Sequence, residues 1–503
     1  MTALYRNATL RKIEAVCASQ PLMARAGTAA ARWAAELAPD TALPILVLAG
    51  PGNNGGDAFE AAHRLQECRP NVHLVFAGNP ARLPADAGAA HRRFYEAGGA
   101  CLPAVPAVQR WGLIIDGLFG IGLARAPAGI HSDLIREANA LAARDRCPLL
   151  ALDCPSGLDT DTGRVFDPAI EASHTITFIA AKPGLHTADG PDHCGEIRVA
   201  PLDLAPEQIA PPDGRLVTPA AFAAHLKPRR RNSHKGSYGS VGILGGAESM
   251  LGAAFLAGRA ALKLGSGRVY LGLLDPRSPT WDPNQPELML RRPEGMLEAG
   301  LNAIACGPGL GTSPAARKLV RRVLSLDQPL VLDADALNIL ALEPELRTGP
   351  GLNSGPGSPS DFRRLPLLLT PHPAEAARLL GTDVAAVQAD RIEAARTLAA
   401  RYGAQIALKG CGTVIATPEG DWWINGTGNP GMAAAGMGDT LTGIAAALLG
   451  QGWPATEALL AAVHLHGAAG DAAVARGLGP AGLTASELTD CARELFNQWS
   501  AVA

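Results

Sequence analysis

Short, almost wholly apolar runs recur along this chain, most of them followed by Gly, Pro or Asp and separated from the next by a stretch with helical spacing of apolar residues. A run of four to six such residues is too short for an amphipathic helix. Lacking polar alternation, it must be covered on both faces, which is the condition of a strand in a parallel sheet with helices on either side. The first half holds Pro44–Ala49, Val72–Ala77, Leu113–Asp116, Leu149–Asp153 and Thr175–Ala180, preceded by a helical pattern from Leu10 to Leu37. The second half holds Ser240–Leu244, Arg268–Leu273, Ala303–Cys306, Pro329–Asp333, Pro366–Leu369, Gln405–Lys409 and Thr413–Ala416. Such a sequence implies an α/β fold, with functional loops at the carboxyl ends of the strands. At 503 residues the chain exceeds what one core organises, so two domains are expected. The proline-rich stretch 205–219 reads as the linker, giving domains 1–215 and 216–503, and the Gly/Ser/Pro stretch Gly349–Asp361 reads as a surface loop.

Composition narrows the function. A net charge of −3 gives no polybasic field for nucleic acid, and the short basic run Lys227–Arg231 beside a proline reads as a solvated segment. The nine cysteines are scattered and odd in number, with no C-x-x-C pair. That argues against a disulfide framework or a structural zinc site and fits a reducing compartment. The N-terminus lacks the apolar core of a signal peptide, and no run of about 18 uncharged apolar residues would span a membrane. A cytoplasmic enzyme of small molecules is the expectation.

The candidate chemistry gathers at strand ends and at one helix start. Pro44–Ala49 runs into Gly50-Pro-Gly-Asn-Asn-Gly-Gly-Asp57, where glycines let backbone N–H groups approach an anion and Asn53, Asn54 and Asp57 offer acceptors to a cation or a ribose. Leu113–Asp116 is followed by Gly117-Leu-Phe-Gly-Ile-Gly122, and Leu149–Asp153 by Cys154-Pro-Ser-Gly157, each placing an Asp where a small-residue loop begins. Either Asp could simply cap a helix, but three such ends in one sheet converge on one crevice. In the second half, Asn429-Pro-Gly-Met-Ala-Ala-Ala-Gly-Met-Gly-Asp439 precedes the apolar stretch Thr440–Leu449. Gly436 and Gly438 leave amides bare at a helix start, an anion hole for a migrating phosphoryl group, and Asp439 stands beside them as a base. Lys409-Gly-Cys-Gly-Thr413 reads either as a phosphate cradle or as a hairpin turn. Asp333-Ala-Asp-Ala-Leu-Asn338, Thr370-Pro-His-Pro-Ala-Glu375 and Gly307-Pro-Gly-Leu-Gly311 end three further strands.

GPGNNGGD, DGLFGIG, DCPSGLD and Ala180-Ala-Lys-Pro-Gly-Leu185 together resemble the NAD(P)H-hydrate epimerase family. That resemblance implies a Rossmann-like doubly wound domain holding K+ on Asn54, Asp116 and Ser156. It also implies a hydrated cofactor against Asn53, Asn54, Gly55, Gly56, Asp57, Gly120, Ile121, Gly122, Leu123, Ala124, Arg125, Ala126 and Asp153, with Asp153 as the acid/base or ring-nitrogen partner. Ala58-Phe59 stands where many relatives carry another glycine. GMGD before a helix resembles the ribokinase-like superfamily, and the set KGSYG (235–239), GPGLG, DADALN, TPHPAE, KGCGT and NPGMAAAGMGD resembles the ADP/ATP-dependent NAD(P)H-hydrate dehydratases. This implies that ADP and Mg2+ serve the second domain, that Asp439 is its base, and that Lys409, Gly410, Cys411, Gly412, Thr413 and Gly438 hold the nucleotide. Ala253, Gly309, His372 and Asp439 would face the hydrate, and Glu375 would approach magnesium through water. The combined expectation is repair of NADHX and NADPHX by a homo-oligomer, one half equilibrating the R and S hydrates and the other dehydrating the S form. The competing reading is a ribokinase-like kinase of a small alcohol or vitamin, fused to a non-catalytic nucleotide- or RNA-binding module.

Overall fold

A computed structural model describes residues 2–347 and 366–502. The stretch Gly349–Asp361 lies outside these described residues. The chain forms two compact units that divide between Arg215 and Leu216.

In the first unit seven strands lie side by side, in the order Cys101–Leu102, Val72–Phe76, Ile45–Ala49, Leu113–Gly117, Leu149–Leu152, His174–Phe178, Glu196–Ala200. All neighbours are parallel. Ile45–Ala49 and Leu113–Gly117 are buried at every position, which is why neither shows an alternating pattern in sequence. The chain leaves Ile45–Ala49 toward one edge of the sheet and later returns to its other side at Leu113–Gly117. The register sets Ala49 beside both Phe76 and Gly117, so the loops after Ala49 and Gly117 open a crevice at this reversal. The edge strands Cys101–Leu102 and Glu196–Ala200 carry no long apolar run and are not legible as strands in the sequence.

Two sequence expectations change here. The pattern Leu10 to Leu37 is two helices, Asn7–Val16 and Leu22–Leu37, because Pro21 cannot continue a helix. The stretch read as a linker is packed into the first unit as far as Arg215. Asp213 accepts from Arg6 N at 2.8 Å and Thr9 Oγ1 at 3.1 Å, and the Tyr5 hydroxyl donates to Ala210 O.

Among the described residues of the second unit, nine strands run in the order Trp422–Ile424, Val414–Ala416, Gln405–Leu408, Leu367–Leu369, Leu330–Leu332, Ala303–Cys306, Ser240–Gly245, Arg268–Leu273, Met289–Arg291. They are parallel except for the antiparallel hairpin strands Val414–Ala416 and Trp422–Ile424. The order reverses between Ser240–Gly245 and Ala303–Cys306, again opening a crevice at strand ends. Helices Met437–Gly450 and Leu251–Lys263 pack closely enough that a methyl on Gly443 would fall 2.1 Å from Ala257 O. Ala455–Ala475 is long and apolar enough to cross a membrane by length and composition, yet 72% of its apolar window is buried in this core.

Candidate active sites

The first site is a cavity of about 660 Å3 at the reversal of the first sheet, lined by Asn53, Asn54, Asp57, Gly120, Ile121, Gly122, Leu123, Asp153 and Lys182 among others. The helix begins at Asn53, so Asn53–Asp57 form its first turn instead of a loop before it. Gly52 precedes the helix without a side-chain cap, which leaves the first amides turned to the cavity mouth. The glycines answer to close backbone approach: a methyl on Gly50 would lie 1.8 Å from Leu118 O, and one on Gly55 1.9 Å from Gly50 O. Gly55 and Gly56 are buried on the helix's inner side, outside the cavity wall. Ala124, Arg125 and Ala126 are exposed and likewise do not line it. Ala58 and Phe59 are fully buried, Phe59 against Phe76, His91 and Phe94, so the missing glycine is filled by packing.

Behind the Gly120 loop, Asn54, Asp116 and Ser156 meet. Asp116 Oδ1 accepts from Ser156 Oγ at 2.7 Å and Leu118 N at 3.1 Å, while Oδ2 accepts from Ser156 N at 2.8 Å. Burial pushes its carboxyl up to about 6 against the pull of these donors. Asn54 Nδ2 donates to Phe119 O at 2.9 Å, which aims its other atom inward. That atom, Oδ1, is buried without a hydrogen-bond partner. An orphaned amide oxygen beside a carboxylate and a hydroxyl is an all-oxygen donor set suited to a hard cation.

Asp153 lies at the cavity's inner wall with φ +65°. Its Oδ1 accepts from Lys182 Nζ at 2.6 Å and Phe178 N at 3.2 Å. Two further carboxyls share the cavity. Burial drives Asp57 well above the usual carboxylate range, with Asp153, Glu14 and Glu60 adding to it, and burial followed by Asp153 raises Glu14. Neither Glu14 nor the role of Lys182 is readable from the sequence alone. Glu14 sits in an unremarkable amphipathic helix, and Lys182 appears only inside a motif.

The second site gathers at the strand ends of the second sheet. Asp333, at the end of Leu330–Leu332, is buried and accepts from Lys409 Nζ at 2.6 Å and Thr442 Oγ1 at 2.7 Å. Lys409 leads the turn between the antiparallel strands Gln405–Leu408 and Val414–Ala416, so KGCGT is a hairpin turn whose cation points into the site. The buried guanidinium of Arg391 donates to Leu408 O and Lys409 O at 3.1 and 3.2 Å and fixes that turn. Cys411 is exposed. Burial pulls the Lys409 ammonium down, but Asp333, Glu375 and Asp439 outweigh it and the net shift is upward.

Helix Met437–Gly450 starts beside this ion pair. Gly436 precedes it at φ +87°, where a methyl would strike Leu256 at 2.4 Å. A methyl on Gly438 would lie 3.3 Å from Lys409 Nζ and 3.7 Å from Asp333 Oδ2. The space over Gly438 therefore faces the ion pair and is one a side chain would fill. Burial, then Asp333, raises the Asp439 carboxyl to about 6 against Lys409. Burial likewise raises Glu375 to about 7. His372 caps helix Pro373–Leu380: its Nδ1 accepts from Ala374 N and Glu375 N, and Glu375 Oε2 accepts from His372 N at 2.8 Å. Gly309 at φ +59° brings its backbone against helix Leu251–Lys263, where an added methyl would lie 3.2 Å from Ala253 Cβ. Asp335 Oδ2 accepts from Gly311 N at 2.8 Å and ties that glycine loop to the DADALN turn.

Residues 241–492 match the family model described as NAD(P)H-hydrate dehydratase, and residues 19–184 match that of the YjeF-related protein N-terminus. The bifunctional NAD(P)H-hydrate repair enzyme Nnr of Escherichia coli is 37% identical over 95% of this chain and 89% of its own. That of Coxiella burnetii is 36% identical over 99% of this chain and 100% of its own. The ADP/ATP-dependent NAD(P)H-hydrate dehydratase of Bacillus subtilis, co-crystallised with ATP/Mg2+, superposes with a TM-score of 0.50 at 35% identity, covering 57% of this chain and 99% of that one. With the relatives aligned along nearly its whole length, the chain belongs to the bifunctional NAD(P)H-hydrate repair enzymes.

Proposed function

We propose that the first unit, 1–215, interconverts the R and S epimers of hydrated NADH and NADPH, and that the second, 216–503, dehydrates the S epimer at the expense of ADP. The observation that carries the second assignment is the space over Gly438, flanked by uncapped helix amides, the Lys409–Asp333 pair and the Asp439 carboxyl. Asp439 removes the proton of the substrate hydroxyl. That oxygen takes the terminal phosphoryl group of ADP, and the amides from Gly436 to Asp439 receive its negative charge. Phosphate then leaves with the C–O electron pair as a ring proton is lost, restoring the dihydronicotinamide. AMP and inorganic phosphate are the co-products. Phosphate is a far better leaving group than hydroxide, which gives a kinase-like fold its use in a dehydration.

Lys409 to Thr413 and Gly438 hold the nucleotide in this reading, and Ala253, Gly309 and His372 line the hydrate's side. The carboxyls of Glu375 and Asp439, raised by burial first and then by the charge of Asp333, fit a nearby Mg2+ bound through water, which would neutralise charge on the phosphates. In the first unit Asn54 Oδ1, Asp116 and Ser156 Oγ fit K+, which would fix the loop that covers the substrate. The open start of helix Asn53–Gln66 suits the dinucleotide's phosphates, and Asp153 faces the carbon that inverts. A cytoplasmic location and self-association belong to the same reading.

The test is a mixed-epimer hydrate supplied with ADP and Mg2+. Complete return of the reduced-nicotinamide absorbance, with one phosphate released per ADP consumed, supports both halves. A stop at the R epimer removes the first assignment. Accumulation of a phosphorylated hydrate removes the second and leaves a kinase.

A further inference from the structure

We propose that Lys182 is the positioning residue of the epimerisation site: its ammonium holds Asp153 through Oδ1, so that Oδ2 meets the substrate as a carboxylate base. The inference rests on the epimerase reading of the first unit.

Lys182 is 1% exposed and lies on the cavity wall. Its three N–H bonds are all engaged within the protein, by Asp153 Oδ1 at 2.6 Å, Thr177 Oγ1 at 2.6 Å and Phe178 O at 3.2 Å. An ammonium so occupied has no proton direction left for a ligand, so its contribution passes through Asp153. Burying a cation is unfavourable unless an anion accompanies it, and Asp153 is that anion. Asp153 is held at its side chain and at its backbone. Phe178 N donates to the same oxygen, Asp153 N donates to Ile176 O at 2.7 Å, and the backbone is held at φ +65°. A left-handed conformation is unfavourable for a residue with a Cβ, and here it turns the side chain across the strand ends. Oδ2 is left facing the bare backbone of Gly120, where an added methyl would lie 3.3 Å away.

Besides Asp153, the charged groups that line this cavity are Arg11 and Glu14 from helix Asn7–Val16, Asp57 from helix Asn53–Gln66, Asp86 and Arg93 from helix Ala85–Glu96, and Lys182. Glu14 and Asp57 have no hydrogen-bonded cation among the described residues. Arg93 is spent on Glu60, at 2.8 and 3.1 Å. Of the three carboxyls at the inner wall, Asp153 alone is ion-paired. The pairing gives one carboxyl a cation that the other two lack, and unlike surroundings are how a site with several acids assigns one of them as base.

Water added to a dihydronicotinamide puts the hydroxyl on the carbon bonded to the ring nitrogen, a hemiaminal. Asp153 takes the hydroxyl proton, the carbon–nitrogen bond breaks with its electron pair going to nitrogen, and nitrogen receives the proton back from Asp153. The open aldehyde rotates and closes from its other face by the reverse transfers. No atom or electron is gained or lost, and one carboxyl suffices if it begins ionised.

The experiment follows epimer exchange by chromatography without ADP, so that the second unit is silent. If the wild-type chain does not exchange the epimers, the reading of the first unit fails before any variant is compared. If it does, Lys182→Arg, which keeps the cation, is expected within about tenfold of wild type with its acid limb unmoved. Lys182→Met is expected to lose exchange by about 100-fold near neutral pH, with KM changed a few-fold at most. Its acid limb should move to higher pH, since a departing cation no longer favours the ionised form. Unchanged dehydration of pure S hydrate with ADP shows that the rest of the chain is intact. A wild-type rate and pH profile in Lys182→Met overturns the proposal. Should Lys182→Met not fold, folded Lys182→Arg decides alone: retained exchange with the wild-type limb supports the role, and lost exchange overturns it.

Discussion

Asp439 connects activity and stability in one substitution. Its carboxyl is raised from 3.8 to about 6, first by burial and then by Asp333. The folded state therefore holds this proton more tightly than the unfolded chain does. The sign follows: the group's favourable contribution is present below the unfolded value and is lost as pH rises through about 6. At neutral pH the folded protein carries an ionised carboxylate that its surroundings disfavour. At about 1.4 kcal/mol per pH unit this costs on the order of 3 kcal/mol. Asp439→Asn removes the charge and keeps the shape, so the second unit's melting transition should rise by roughly 5 °C. The same change removes the proposed base, and dehydration of S hydrate should fall by at least about 100-fold while ADP binding persists. Calorimetry of the second-unit transition, with and without ADP, and the return of reduced-nicotinamide absorbance read the two effects. Wild-type kcat/KM should fall about tenfold per unit below its limb near pH 6, and the residual activity of Asp439→Asn should lack that limb. Retained turnover in the variant, a lowered melting temperature, or a wild-type limb near 4 would each refute the reasoning.

Gly438→Ala puts a methyl 3.3 Å from Lys409 Nζ, so the KM for ADP should rise about tenfold or more with little change in melting temperature, as steady-state kinetics would show. Asp116→Ala strands Ser156 N, Ser156 Oγ and Leu118 N, which donate to it. About 3 kcal/mol of first-unit stability should be lost by denaturant titration, and consumption should stop at the R epimer with S-hydrate turnover intact. Lys409→Met leaves Asp333 buried beside Thr442 without its cation, and the second unit should lose about 3–5 kcal/mol, measured by its own thermal transition.

Much of the interior is legible in the sequence because it follows from local rules. Arg268–Leu273 and Ala303–Cys306 occupy the same residues in pattern and in structure, since a doubly covered strand leaves an uninterrupted apolar run. The edge strands Cys101–Leu102 and Met289–Arg291 leave none, because one side of each lacks a partner and their side chains are half in solvent. The start of helix Asn53–Gln66 was hidden by its own glycines and asparagines, which read as loop by propensity. Tertiary packing of Gly56 against Met23 and Ala87 overrides that preference. The first site shows the same division. GPGNNGGD, DGLFGIG and DCPSGLD place Asn54, Asp116, Asp153 and Ser156 at strand ends, while nothing near those motifs points to Glu14 or to an ion pair between Asp153 and Lys182.

The sequence by itself determined two α/β lobes, the strand ends that carry chemistry and the residue types available there, because burial and turn formation act over a few neighbouring residues. The tertiary structure alone decided which distant groups meet: Lys409 with Asp333 and Thr442, and Asp153 with Lys182. It also decided which exposed loop residues, Ala124 to Ala126 among them, fall outside the cavity. The physical reason is that the protonation state of a carboxyl depends on the charges and solvent within a few ångströms, and those neighbours are set by sheet order, which no local stretch of sequence encodes.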